Sequence, residues 1–226
     1  IAVETTMGIQ SHHFILNRFL NEGENLCDIA IGSGADAFAD GYRGLEDPSH
    51  FSALFQVGAQ ETGRWELPYK TAFEWEAGTV LDLNSHYINS SPTQVLAGEV
   101  YVNIYTQPDG NAKQNMQALM IPNTELNVPN NGDTIEVEQA LPLYAPPFFT
   151  CFPDGLFLYS LNSHTHKLGK DFDIYKSNVA GVEIEHLYDA SCYNDGVPGC
   201  DDKFYDYQHP PERTFDNYYK LNSSDW

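Results

Sequence analysis

Positive charge is scarce in this chain of 226 residues, with 11 Lys and Arg against 32 Asp and Glu and a formal net charge of −21. A surface of that sign repels a phosphate backbone or an anionic lipid face, so nucleic acid is excluded as a partner. Long apolar runs are missing too. A membrane-crossing helix needs roughly 20 such residues, and the best run here, Ala140 to Cys151, is broken by prolines, so the sequence predicts no transmembrane segment. Cysteine is sparse, and Cys27, Cys151, Cys192 and Cys200 show no Cys-x-x-Cys spacing, which argues against a zinc ribbon or a thioredoxin-type motif. Helical periodicity is rare, while proline and glycine occur 13 and 17 times, a composition of turns rather than long helices.

What is present is enough to fold. Apolar residues make up 42% of the chain, with 14 Tyr, 13 Phe and 3 Trp, more than a disordered acidic segment carries. Gly78–Ile88, Glu99–Tyr105, Thr134–Glu138, Gly155–Leu161 and Asp171–Tyr175 alternate apolar with polar residues, the period of a half-buried strand. Short strands at this spacing predict an all-β fold of antiparallel sandwiches. The polar segment Thr106–Asn115, with its Pro-Asp-Gly turn, reads as a hinge near residue 110 between a domain at 1–110 and another at 111–226.

The tail from Ser191 to Trp226 reads as long loops with one strand. Its neighbourhood offers Asp189, Asn194, Asp195, Asp201 and Asp202 as hard oxygen ligands for calcium, although the spacing fits no EF-hand and a solvated acidic loop is the plainer reading. Cys192 and Cys200 bracket the turn-forming run Asn194–Gly199, which predicts a disulfide and, with it, an exported protein in an extracellular or periplasmic setting. The chain opens at Ile1 with no charged-then-apolar leader, as a mature secreted product or a piece of something longer would.

Eight histidines carry the chemical signal. His12 and His13 are adjacent, His86 precedes Tyr87, and His164-Thr165-His166 is an alternate pair, whereas His50, His186 and His209 stand apart. Residues i and i+2 on a strand project from one face about 6.6 Å apart, so two imidazoles there can converge on one metal ion. The run Leu156–Leu161 leads into the alternate pair and places this clip on a strand ending at Leu168-Gly169. Adjacent histidines face opposite ways on a regular strand, so His12 and His13 can share an ion only where the backbone twists or bulges, or through different ring nitrogens. Any one pair can equally be a core histidine beside a solvated one. Three clusters in a chain without a thiolate motif favour a metal, and imidazole-only sites suit copper or zinc.

Three segments then resemble, in order, those of the copper type II, ascorbate-dependent monooxygenases, the family of peptidylglycine α-hydroxylating monooxygenase and dopamine β-monooxygenase. Ser11-His12-His13-Phe14 is similar to the family's His-His strand, Leu83-Asn84-Ser85-His86-Tyr87 to its His-Tyr strand, and His164-Thr165-His166-Lys167-Leu168-Gly169-Lys170 to its His-Thr-His-x-Leu-Gly-Lys segment. The resemblance spans nearly the whole chain. It implies two jelly-roll-like β-sandwich domains facing each other across a cleft, with up to two copper ions. His12, His13 and His86 would hold the electron-transfer copper, and His164 and His166 the copper where oxygen is activated, with ascorbate or a similar donor as reductant and a small molecule or peptide as substrate. In the family a methionine beyond the His-Thr-His strand completes the second site, but Met7, Met116 and Met120 all precede it here. A second domain truncated at its C-terminus, or completed by a further segment or chain, is therefore expected. Asn162 stands where the peptide hydroxylase has an arginine for the substrate carboxylate, so a peptidyl-glycine substrate is not implied.

Two other classes stay open on the sequence alone. One is a secreted copper-binding or structural β-sandwich protein without catalysis; the other is a zinc or calcium structural module.

Overall fold

The computed structural model describes residues 1–19, 53–59, 62–89, 91–108, 110–118, 121, 123, 126–141, 155–191, 207 and 210–222. Within them the chain is all-β, as the alternation predicts, and no helix is long and apolar enough to cross a membrane. The strands are β1 (Ala2–Met7), β2 (Ser11–Phe19), β3 (Ala53–Ala59), β4 (Gly63–Glu66), β5 (Thr71–Ala72), β6 (Leu81–Tyr87), β7 (Val100–Tyr105), β8 (Gln114–Asn115), β9 (Leu156–Leu161), β10 (Asp173–Ser177), β11 (Glu183–Asp189) and β12 (Arg213–Leu221). They belong to two compact units, Ile1–Met120 and Ile121–Trp226.

In the first unit, antiparallel sheets of order β4-β1-β7 and β3-β2-β6 each hold their middle strand between two neighbours. Val3 of β1, Phe14 and Leu16 of β2 and Val57 of β3 form a buried cluster, against which Trp65, Trp75, Leu81, Val100, Val102 and Ile104 pack. Both sheets thus contribute to one buried cluster. β7 shows why its sequence was readable: Val100, Val102 and Ile104 turn inward while Tyr101, Asn103 and Tyr105 face solvent.

The boundary falls later than residue 110. Lys113 N and Gln114 N donate to Lys70 O, Met116 N donates to Ala72 O, and β8 pairs with β5 in parallel, so the segment after the Pro-Asp-Gly turn returns to the first unit.

The second unit holds the antiparallel pairs β10-β11 and β12-β9. Leu187 and Leu221 are buried with Leu141, Leu156, Leu158, Leu161 and Tyr219 around them, while Tyr188 and Ala190 gather Leu161, Ile174 and Tyr207. The strand expected at Thr134–Glu138 is absent: these residues are exposed and join no sheet. Alternation makes a strand only where a neighbouring strand takes its backbone donors and acceptors, and no described strand pairs with this one.

Candidate metal centre

β2 and β6 are antiparallel, and their register explains how adjacent histidines share one place. Ser11 stands opposite Tyr87 and His13 opposite His86, so His12 is an extra residue on β2, a bulge at the end of the ladder. A bulge twists the strand and re-aims the side chains beside it, which meets the condition set by the sequence. The ring centroids lie 5.2 Å apart for His12 and His13, 5.4 Å for His12 and His86, and 4.9 Å for His13 and His86. Nδ1 of His86 and Nε2 of His13 face each other at 3.1 Å, and one ring nitrogen from each of the three lies within 4.8 Å of the others.

Neighbouring backbone fixes this corner. Glu99 O accepts from Gly8 N and from Ser11 Oγ, both at 2.8 Å, and Gln10 O accepts from Ile88 N at 2.9 Å. Beyond the bulge, Phe14 and Leu16 are fully buried and seat β2 in the core. Tyr87, next to His86, lies against Gly98 so closely that no Cβ would fit there. His12 and His13 are half-buried and His86 is exposed, so the cluster opens at the surface.

The donor set fits copper. Three neutral imidazoles are borderline ligands, suited to copper or zinc, and copper heads the affinity order of the divalent first-row metals. Separate from this cluster, a concavity of about 680 Å³ in the same unit is lined by Trp65, Phe73, Trp75 and Ile104 among others, and none of the three histidines reaches it.

The His164-Thr165-His166 pair is placed differently from its expectation. β9 ends at Leu161, so the pair lies beyond the strand rather than on it. The reason lies in the partner strand: Arg213 of β12 stands opposite Leu161, and continuing the ladder would set Pro211 and Pro210 opposite Ser163 and His164. Proline has no backbone N–H to give, so the pairing stops. Ser163 instead turns inward, buried, with Oγ 3.1 Å from Tyr188 OH. After it the chain makes a tight turn closed by Gly169 N donating to His166 O at 2.7 Å, with Gly169 pressed against Thr165. The two exposed rings still lie 5.5 Å apart between centroids. Among the described residues no third His, Cys, Asp or Glu joins them as a metal-ligating group.

No known protein family, curated protein or solved structure matches the chain. What the site does is therefore read from its own geometry.

Of the remaining expectations, the Cys192–Cys200 pairing, His50, His209, and Asn194, Asp195, Asp201 and Asp202 of the calcium reading lie outside the described residues. Asp189 is described, and it groups with Asp173 and His186. Little in the chain marks that cluster beforehand, because its three members are scattered over two strands and are joined only by strand pairing.

Proposed function

We propose that the chain is a copper protein of the monooxygenase type, hydroxylating a C–H bond with O2 and electrons from ascorbate or a similar one-electron donor. The observation that carries this reading is the convergence of His12, His13 and His86, produced by a bulge at the end of β2. Putting one oxygen atom of O2 into a C–H bond and reducing the other to water takes two electrons and two protons from outside. Copper at the triad would supply a one-electron store by cycling between Cu(I) and Cu(II). The protein's share is to hold three imidazoles at fixed spacing on two paired strands, so that either oxidation state meets the same ligands. On this reading the two three-stranded sheets of the first unit form one sandwich, and His164 and His166 supply part of a second copper site.

A copper-binding protein without catalysis is the second reading. It draws support from His164 and His166 lying beyond β9, with no third His, Cys, Asp or Glu grouped with them among the described residues.

The test needs no substrate. Protein loaded with Cu(II) and desalted is reduced by ascorbate and reoxidised by air while its electron paramagnetic resonance is followed. The signal should vanish and return with the parent, and the His86→Ala chain should lose the part of it that belongs to the copper of the triad. Copper that stays Cu(II) under ascorbate would remove the electron-storing role. Cycling confined to one copper per chain, with none held at His164 and His166, would favour the binding protein over the hydroxylase.

A further inference from the structure

The β10-β11 hairpin carries a second group of donors in the other unit. Asp173, the first residue of β10, stands opposite Asp189, the last of β11, and Tyr175 stands opposite His186. One residue, Ile174, separates the members on β10, whereas Leu187 and Tyr188 separate those on β11, so the ladder takes up an extra residue as a bulge. On an unbroken strand His186 would share a face with Tyr188, and Leu187 with Asp189. Instead Leu187 and Tyr188 are both buried, 2% and 0% exposed, in two different clusters, and His186 comes out over Tyr175 on the face of the two aspartates. Its ring stacks on Tyr175 at 4.4 Å between centroids and 14° between planes, with Nε2 2.7 Å from Asp173 Oδ1.

We propose that Asp173, His186 and Asp189 form a divalent-cation site distinct from the histidine triad, with one imidazole and two carboxylates as ligands. One donor atom from each lies within 4.8 Å of the others. Ser191 N and Oγ donate to Asp189 Oδ1 at 2.9 and 2.5 Å and fix that carboxylate, as partners of metal ligands commonly do; a carboxylate has further lone pairs to offer. An isolated two-stranded hairpin is marginal in water, and an ion at these three residues would tie the start of β10 to the end of β11. The donors are harder than the all-imidazole triad and suit manganese or zinc above Cu(I).

Manganese is the probe that separates the two sites, because it stands lowest in affinity at imidazole-rich sites and prefers carboxylates. In about 0.15 M salt, where exposed charges are screened, paramagnetic resonance titration of the full chain with Mn2+ should find one tight site. Asp189→Asn should weaken it by at least roughly 100-fold, since losing a ligand costs no less than losing a ligand's support, while His86→Ala should leave it unchanged, so failure of the copper reading and failure of this one are told apart. If Asp189→Asn does not fold, the Mn2+-loaded His86→Ala chain decides, since pulsed resonance should show coupling to one imidazole nitrogen. Tight binding that survives Asp189→Asn, or bound Mn2+ without imidazole coupling, would assign the ion to exposed acidic surface and overturn the proposal. Absence of tight binding would leave Asp173 and His186 as a plain hydrogen-bonded pair and overturn it equally.

Discussion

At the scale of single residues, the triad depends on a glycine that binds nothing. A Cβ at Gly98 would overlap the Cδ1–Cε1 edge of the Tyr87 ring, and Tyr87 adjoins His86 on β6. Gly98→Ala should therefore push Tyr87 aside and weaken copper binding while leaving the strand content intact, because Gly98 lies outside β7. Copper titration with circular dichroism checks this, and unchanged affinity would show that Tyr87 does not position His86. Asp173 gives a prediction in pH. Its carboxyl is raised from 3.8 by burial and by Asp171, so the folded state binds that proton more tightly than the unfolded chain does. Its contribution to stability without metal must then fall as pH rises from the unfolded value through the raised one. Asp173→Asn should abolish that fall and, in chelator above this window, should match or exceed the parent in thermal midpoint. With Mn2+ present the order should reverse.

At the scale of elements, β2 carries both the core and the ligands. Phe14, which follows His13, is 0% exposed, and Phe14→Ala should cost about 3–5 kcal/mol of unfolding free energy. Ile9→Ala, at a residue 98% exposed, should shift it by no more than about 0.5 kcal/mol. Denaturant unfolding measures both, and a Phe14→Ala loss as small as that at Ile9 would mean that β2 does not anchor the core. The same elements show what was legible in the chain. β6, β7, β9 and β10 are legible within a few residues because their sequences alternate apolar with polar residues. β11 escaped because its bulge puts Leu187 and Tyr188 in the core side by side, which breaks the period. β12 shows in the chain only as one strand somewhere in the tail, and its register with β9 slips between Thr214 and Tyr219. The His-His pair raised the need for a bulge, and the bulge is there. The alternate pair misled, because the stop signal for its strand was not local: it lay at Pro210-Pro211, on the partner.

At the scale of the whole molecule, the two compact units predict that the chain does not unfold in one step. Calorimetry should resolve two transitions, with copper raising the one that belongs to Ile1–Met120 and Mn2+ the other, since a ligand stabilises only the structure that binds it. A single transition raised equally by both ions would contradict this. A net charge of −21 also strains the folded state by self-repulsion. Raising salt from about 0.01 to 0.15 M shortens the screening length from roughly 30 to 8 Å, and the thermal midpoints in chelator should rise. A fall would mean that attractive pairs, and not the acidic excess, dominate the surface.

The most direct test of the account is the number of copper ions the chain retains after loading with Cu(II) and desalting, in the parent, in His86→Ala and in His164→Ala. If His12, His13 and His86 form the copper site, His86→Ala lowers the count by one and pulsed resonance of the parent shows equatorial imidazole nitrogens, while His164→Ala leaves that copper in place. A count that does not change on His86→Ala, in a variant whose circular dichroism matches the parent, would contradict the assignment of the triad as a copper site.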